Sequence, residues 1–592
     1  MERIRMALTA ALAAIGVLII WLAIGNPAGA KDEIKPQYPS PRFPSSLKNP
    51  KSPDEVMPFA RALARNKANF IGLGLGVLNP GEKVLLVADA NSEDIYVEAI
   101  KRALAERKVQ ATVMHDYEIA GVTREQALAY SKAILLGGTT EQGYMEACGW
   151  LTTFPGSVPW LRQNRPDLAD ACFPKKAVEE LPAELKEVGR KMRGNTTASG
   201  TGLPNPVESY IVKYLEQHPD IRGFYYGRGG PIWLKFHPYE AKWLGIFIMD
   251  SRWDVATGQS AYPADLWLLT EEQTMEPLAS VDKVHVTDPE GTDASWDLSE
   301  DQAQRWVRGV YLRGHLFMFP NEAYGQFGQS SVDFPVIHSD YIPLEPIVLL
   351  NGTIAGTNGH GGFFPRIEEH FKDGYLVDVK GGGNYGELLR TYLTKYPNIN
   401  TITYPQFKHP GYFHHFETAL GTNPKFIRHP LDRFGGTSPE RMRAGVLHWA
   451  LGSYYWHDPG EKYTGSTQAL KKFAGEKKMP GEHGFHIHNY FGTFQVHLRN
   501  TNKWVTLVDK GRLKALDNPQ ARSLASRYGN PDAVTAEDWI PEMPGINVPG
   551  QYADYAKAPY TYSQGVMDKI KSGNYDHFYP AANGKTAMNT TK

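Results

Sequence analysis

The chain has 592 residues, and 42% of them are hydrophobic, which is ordinary for a globular protein and sufficient for a large core. Its 63 basic and 64 acidic side chains give a net charge of −1, so no broad basic surface is indicated and we expect no nucleic-acid partner. The length corresponds to about three or four domains of ~150 residues, or to two larger ones with insertions.

The first 30 residues predict export. Arg3 and Arg5 precede an uncharged, largely apolar stretch that ends in Ala28 and Ala30, a small-residue pattern typical of a signal-peptidase site. The stretch approaches the ~20 residues that cross a bilayer, so an uncleaved anchor is the alternative to a signal peptide. In both cases we expect a periplasmic or secreted protein that meets the membrane only through this segment.

The sequence contains two cysteines, Cys148 and Cys172. In an oxidising compartment they either pair or remain buried thiols, and neither has the spacing of a redox pair or a thiolate metal site.

Residues 31–54 are rich in Pro and Ser and predict an exposed leader. An α/β domain is expected at 55–300, beginning with an amphipathic helix at 55–67. The apolar run at 79–90 is typical of a buried parallel strand.

The following segments complete a βαβ unit. Residues 95–108 have helical periodicity and residues 109–114 read as the second strand. The run A-I-L-L-G-G at 133–138 predicts a further strand of the same sheet. A large insertion follows at about 140–235, with a helix at 176–192.

The fold class predicted from this order is α/β: an N-terminal βαβ-containing domain followed by a mixed α/β metal-binding domain with large insertions. Strands return within 240–300, and the metal-binding catalytic domain is expected at 301–510. The Gly-rich segment at 381–383 predicts a turn with positive φ, not a phosphate loop. The last segment, 511–592, is expected to wrap the surface.

Five potential metal ligands lie in the expected catalytic domain, in the motifs P-N-E-A-Y, H-H-F-E-T-A-L-G, H-W-A-L-G-S-Y-Y and F-H-I-H-N-Y. They are Glu322, Glu417, His448, His486 and His488. Carboxylates and imidazoles together suit zinc, iron or manganese.

The H-x-H pair alternates like a strand, so both imidazoles point to one face, about 7 Å apart. The alternative is a pair of partly exposed histidines. His448 follows a helical stretch and precedes A-L-G, which we interpret as a turn; its alternative role is packing. Glu322 and Glu417 lie beside apolar segments, where burying an acid is costly without a cation.

The order P-x-E, E-x-x-L-G, H-x-A-L-G-x-x-Y, H-x-H resembles the M29 family of metallo-aminopeptidases, whose superfamily includes the iron enzyme 2,5-dihydroxypyridine dioxygenase. Segments 79–88 and 288–298 fit the same family. The resemblance spans roughly residues 60–500 in many short pieces, interrupted by insertions.

The resemblance implies that Glu322, Glu417, His448 and His486 are metal ligands. It also implies that Tyr455 is an active-site tyrosine. The family's final ligand is an aspartate, but His488 stands in its place here. An imidazole cannot bridge two ions, so this difference weakens a two-metal site, although a glutamate could still bridge.

Three functions fit these residues. The first is an exported hydrolase of amide-like bonds that uses zinc, cobalt or manganese, with Glu322 as general base and Tyr455 as oxyanion donor. The second is a mononuclear iron oxygenase of an aromatic substrate, suggested by His488 and by aromatic residues such as Trp449 and Tyr490. The third is a non-catalytic family member. We expect a small-molecule or short-peptide substrate and allow for a homo-oligomer.

Overall fold

Two β-sheets organise the chain in the computed structural model. It describes residues 37–42, 50–69, 72–73, 75–90, 92, 94–136, 162–172, 181–193, 206–226, 244–246, 262–308, 315–317, 349–359, 362–395, 414–427, 439–453, 476, 483–562 and 565.

The strands are β1 Ala68–Asn69, β2 Gly72–Leu73, β3 Lys83–Ala88, β4 Gln110–His115, β5 Ile221–Tyr226, β6 Leu244–Ile246, β7 Val281–Thr287, β8 Asp293–Asp297, β9 His315–Phe317, β10 Asn351–Gly359, β11 Gly362–Lys372, β12 Tyr375–Gly381, β13 His414–Gly421, β14 Leu447–Ser453, β15 His483–Asn489, β16 Thr493–Leu498, β17 Trp504–Asp509 and β18 Arg512–Leu513. The helices are α1 Pro53–Arg65, α2 Asp94–Glu106, α3 Asp116–Ile119, α4 Arg124–Leu136, α5 Pro166–Cys172, α6 Ala183–Arg193, α7 Pro206–Gln217, α8 Ala264–Met275, α9 Glu300–Arg308, α10 Gly383–Lys395, α11 Pro519–Ala525, α12 Pro531–Thr535 and α13 Tyr552–Lys557.

The first sheet has the strand order β1-β2-β6-β5-β3-β4 and is parallel from β2 to β4. The predicted βαβ unit is β3-α2-β4. Strand β3 is buried on both faces, because Val84 and Leu86 pack with α1 and α2 while Leu85 and Val87 pack with α7. The continuous apolar run of this strand follows from that double burial.

The strand predicted at 133–138 is wrong, because helix α4 continues to Leu136. A capping box starts this helix: Gln126 N donates to Thr123 Oγ1 at 3.2 Å, and Thr123 N donates to Gln126 Oε1 at 3.0 Å. Such reciprocal bonds favour helix initiation, and the apolar run extends the helix that they begin.

The second sheet has twelve strands, all paired antiparallel, in the order β15-β14-β13-β12-β11-β10-β8-β7-β16-β17-β18, with β9 beside β13. This sheet begins at Val281. Strands β7 and β8 therefore belong to it, although they precede the domain boundary expected between residues 300 and 301. The α/β class is confirmed: the molecule combines a parallel sheet with this large antiparallel one.

The second sheet bends so that β10 crosses β15. A Cβ added at Gly359 would lie 2.2 Å from His486 O, and one at Gly356 would lie 2.6 Å from Ile487 Cγ2. The strand N-G-T-I-A-G-T-N-G therefore lacks side chains where the two backbones approach.

The turn after β12 has the predicted conformation, with φ of +66°, +79° and +52° at Gly381, Gly382 and Gly383. Glycine adopts these angles without the steric cost of a Cβ. Helix α10 starts directly from this turn.

The described part of the C-terminal segment contributes to the core. Trp539, Ile540, Met543 and Tyr555 are buried and pack with Val446, Tyr490 and Phe491, which flank strands of the second sheet. That residues 511–592 wrap the surface stays a prediction. Isolated large residues among Pro and Asn have no periodicity from which this burial could be predicted.

By internal contacts, the described residues from Tyr38 onward form one compact unit. Within the described residues, no helix is both long and apolar enough to cross a membrane. Cys148, Glu322 and Tyr455 lie outside the described residues, so their predicted roles stay predictions.

Candidate metal centre

Three adjacent strands carry four of the predicted ligands. In the register of β13, β14 and β15, Glu417 lies opposite Ala450, which lies opposite His486. In the next row, Ala419 lies opposite His448, which lies opposite His488. Residues opposite each other across antiparallel strands share a face, so all four ligand-type side chains project to one side.

His448 lies inside β14, not in a turn after a helix. The helical stretch expected before it is a single 3-10 turn, Pro439–Met442, and A-L-G continues the strand. The strand position matters because alternation then puts Trp449 on the opposite face, where it packs in the core.

The ligand atoms of Glu417, His448 and His486 all lie within 4.8 Å of one another. Glu417 Oε1 is 3.6 Å from His448 Nε2, and Glu417 Oε2 is 3.8 Å from His486 Nε2. The three residues are only 2%, 2% and 7% exposed. A carboxylate and two imidazoles are thus gathered in a site shielded from bulk water.

This arrangement fits a metal ion. Zinc binds oxygen and nitrogen ligands at about 2.0–2.2 Å, which separates two ligand atoms of a tetrahedral shell by about 3.3–3.6 Å. The observed 3.6 Å lies at the upper end of that range, and the observed 3.8 Å lies slightly above it. The group could therefore hold an ion with small side-chain movements.

His488 is fully buried beside His448, with ring centroids 4.9 Å apart. It is not a member of the three-residue group. In the strand register, His488 shares a row with Ala419 and His448, while Glu417 and His486 share the other row.

Two alanines were not anticipated as parts of the site. Ala450 lies between Glu417 and His486 in one row, and Ala419 flanks His448 in the other. Both alanines are buried, and each places a single methyl group beside the ligand-type side chains. The signal in the sequence is the alanine two residues after His448, on the same face of the same strand.

Trp449 and Tyr490, two aromatic residues of the motifs, lie in buried clusters. Trp449 Nε1 donates to Asn489 Oδ1 at 2.7 Å, and Tyr490 OH donates to Glu440 Oε1 at 3.0 Å. These two residues therefore serve packing and hydrogen bonding.

A second group of buried acids occupies the turn between β7 and β8, here called the acidic turn, with Asp288 and Glu290. Glu290 Oε1 accepts hydrogen bonds from Thr357 Oγ1 at 2.7 Å and Tyr552 OH at 3.1 Å. Burial, and then the charge of Asp288, raises the pKa of Glu290 to about 8, while burial raises the pKa of Asp288 to about 7.

Two solved structures are similar to this chain. One is 2,5-dihydroxypyridine dioxygenase from Pseudomonas putida KT2440, with 10% identity, a TM-score of 0.37, and coverage of 78% of this chain and 98% of that one. The other is AmpT from Thermus thermophilus, with 16% identity, a TM-score of 0.32, and coverage of 78% and 99%. No sequence family and no curated protein matches the chain. The resemblance is distant, and TM-scores this low do not bear on the reaction.

Proposed function

We propose that this protein is a metalloenzyme whose ion is held by Glu417, His448 and His486, and that it hydrolyses amide-like bonds in a small molecule or short peptide. The observation that carries this proposal is the buried group of three ligand-type residues on one sheet face.

Three protein ligands would leave a further coordination position of the ion for water or substrate. A divalent ion in such a site polarises a carbonyl group and lowers the pKa of bound water toward about 7. The three side chains supply one negative charge, so a divalent cation would keep a net positive charge for this purpose.

Glu417 suits hydrolysis because each of its two oxygens faces a different imidazole. If one oxygen binds the ion, the other remains within the site and can accept a proton from an attacking water. The prediction that Glu322 and Tyr455 assist is part of this proposal.

A mononuclear iron oxygenase is the second candidate. Two histidines and one carboxylate on one side of an ion are the donor set typical of non-haem iron oxygenases. Hydrolysis ranks first because Glu417 has a second oxygen in the site and because Trp449, Phe485 and Tyr490 of the motifs pack in the core.

Metal counting on the purified protein, followed by two assays, tests the proposal. We expect one zinc, cobalt or manganese ion per chain and release of an amino acid from peptide amides. Glu417→Gln and His448→Ala should each lose at least about tenfold in metal affinity, because each removes a ligand.

The matched control is His285→Ala, which removes an imidazole paired with Asp293 at an exposed position of the same sheet and should change nothing. One iron per chain with oxygen uptake on hydroxypyridine-like substrates would replace hydrolysis by the second candidate. Absence of stoichiometric metal would indicate a non-catalytic protein.

A further inference from the structure

A buried polar cluster lies on the opposite face of the ligand strands. It consists of Asn489, Trp449, Thr292 and the backbone of Ala355, and we call it the Asn489 clamp. All four residues are at most 2% exposed. Asn489 and Trp449 directly follow His488 and His448 in the sequence, so the clamp begins where the imidazoles are attached.

Hydrogen bonds connect three parts of the sheet through this cluster. Asn489 Oδ1 accepts from Trp449 Nε1 at 2.7 Å, which links β15 to β14. Asn489 Nδ2 donates to Ala355 O at 2.8 Å, which links β15 to β10 across the bend of the sheet.

Thr292 completes the cluster from the acidic turn. Its Oγ1 accepts from Ala355 N at 2.9 Å and lies within donating distance of Ala355 O, 2.9 Å away, and Asn489 Oδ1, 3.1 Å away. The polar atoms of the asparagine side chain are thereby satisfied in a core of Trp296, Ile487 and Phe494.

The hydrogen bonds of this cluster are directional, unlike the apolar contacts around it. Apolar contacts tolerate small shifts between strands, whereas a buried amide with fixed partners tolerates few positions. A slip of β15 against β14 would break the Trp449 bond and move His486 away from Glu417 and His448.

We propose that Asn489 is a positioning residue for the metal centre: through Trp449, Thr292 and Ala355 it holds β15 against β14 at the offset that brings His486 to His448 and Glu417. This inference rests on the proposed function, since it requires that the group bind a metal ion.

The test is cobalt(II) titration of the full-length protein, followed by affinity and by the visible absorption spectrum, which reports ligand geometry. Thr292→Val replaces the hydroxyl by a methyl group of similar volume. We expect about tenfold weaker cobalt binding and an altered spectrum, as for the loss of other groups that orient metal ligands. Thr292→Ser retains the hydroxyl and should restore both.

Thr506→Val is the matched control, because it removes a hydroxyl that accepts from Gln495 Nε2 at 3.2 Å in the same sheet. It should bind cobalt as the parent does. If Thr292→Val does not fold, Trp449→Phe takes its place, because it removes the indole donor. We expect it too to bind cobalt more weakly and to have an altered spectrum.

Folded Thr292→Val and Trp449→Phe proteins with the parent's cobalt affinity and spectrum would overturn the positioning role alone. A parent protein that binds no cobalt would overturn the proposed function and this inference with it. A loss of thermal stability with unchanged cobalt binding would show that the clamp is merely structural and would also overturn the inference.

Discussion

Ala450 places a single methyl group between two of the potential ligands. It lies between Glu417 and His486 in the strand register and is 2% exposed. A larger side chain here would point to the same face as the ligands and occupy the volume between them.

Ala450→Leu should therefore abolish metal binding, with an affinity loss of at least about 100-fold, because the added carbons take the place of the ion. Overpacking should also cost about 1–3 kcal/mol of the free energy of unfolding. Isothermal titration with zinc measures the first effect and urea denaturation the second.

The comparison variant is Ala521→Leu, which crowds a fully buried alanine of α11 instead. It should lose stability but keep the affinity for zinc. Unchanged zinc affinity in Ala450→Leu would contradict the placement of the ion between Glu417 and His486.

Ligand-type residues could be recognised from the sequence because their chemistry and short motifs are local. Glu417, His448 and His486 were selected in this way. Ala450 was not, because its place between Glu417 and His486 depends on the pairing register of three strands. That His488 is a ligand stays a prediction. Register is decided by long-range packing and cannot be seen in any one strand.

Among the elements, β10 and β15 make a backbone contact on which the site depends. Strand β10 presents Gly359 to His486 O, so a side chain at this position would push the two strands apart. His486, whose carbonyl oxygen makes this contact, is also one of the proposed metal ligands.

We expect Gly359→Ala to lower the free energy of unfolding by about 1–3 kcal/mol or more, because its Cβ would meet backbone rather than a movable side chain. Metal affinity should fall as well, since His486 is displaced. Denaturant unfolding and zinc titration of the same preparation measure both.

Gly565→Ala is the control, because a Cβ at that glycine meets nothing within 4 Å. If Gly359→Ala were as stable as Gly565→Ala, the close approach of β10 and β15 would be wrong.

Elements with a strong local pattern were predictable, as the βαβ unit and the H-x-H strand show. The end of α4 was not, since an apolar run fits a strand and a helix equally well. Here the capping box at Thr123 and Gln126 was the decisive signal.

For the molecule as a whole, the acidic turn joins parts that are distant in the chain. Glu290 Oε1 binds Thr357 of β10 and Tyr552 of α13, and Arg366 Nε donates to the Glu290 carbonyl oxygen. The C-terminal helix is thus attached to the second sheet through a buried acid.

This acid should make stability depend on pH. Its pKa rises from 4.5 to about 8 on folding, and that of Asp288 rises from 3.8 to about 7, so the folded state binds more protons. The contribution of these two acids to the free energy of unfolding is fully present below pH about 4 and is lost as pH rises to about 8. The positive charge of Arg366 lowers the pKa of Glu290 and moderates the loss.

Glu290→Gln imitates the protonated acid and should remove the part of this pH dependence of stability that is due to Glu290. Urea unfolding at several pH values measures it. Glu300→Gln at an exposed position on α9 is the control. A parent protein whose stability does not fall over this range would contradict the raised pKa values.

The pairing of β7 with β16 determines when the second sheet can be completed during synthesis. Thr287 lies beside Thr493, although β8 to β15 all lie between them in the chain. A nascent chain that ends before β16 therefore has an open edge at β7, and open strand edges invite aggregation. The ribosome produces β13, β14 and β15, which carry the proposed ligands, before this edge is closed. The part of the chain proposed to hold the metal is therefore complete before the sheet that supports it.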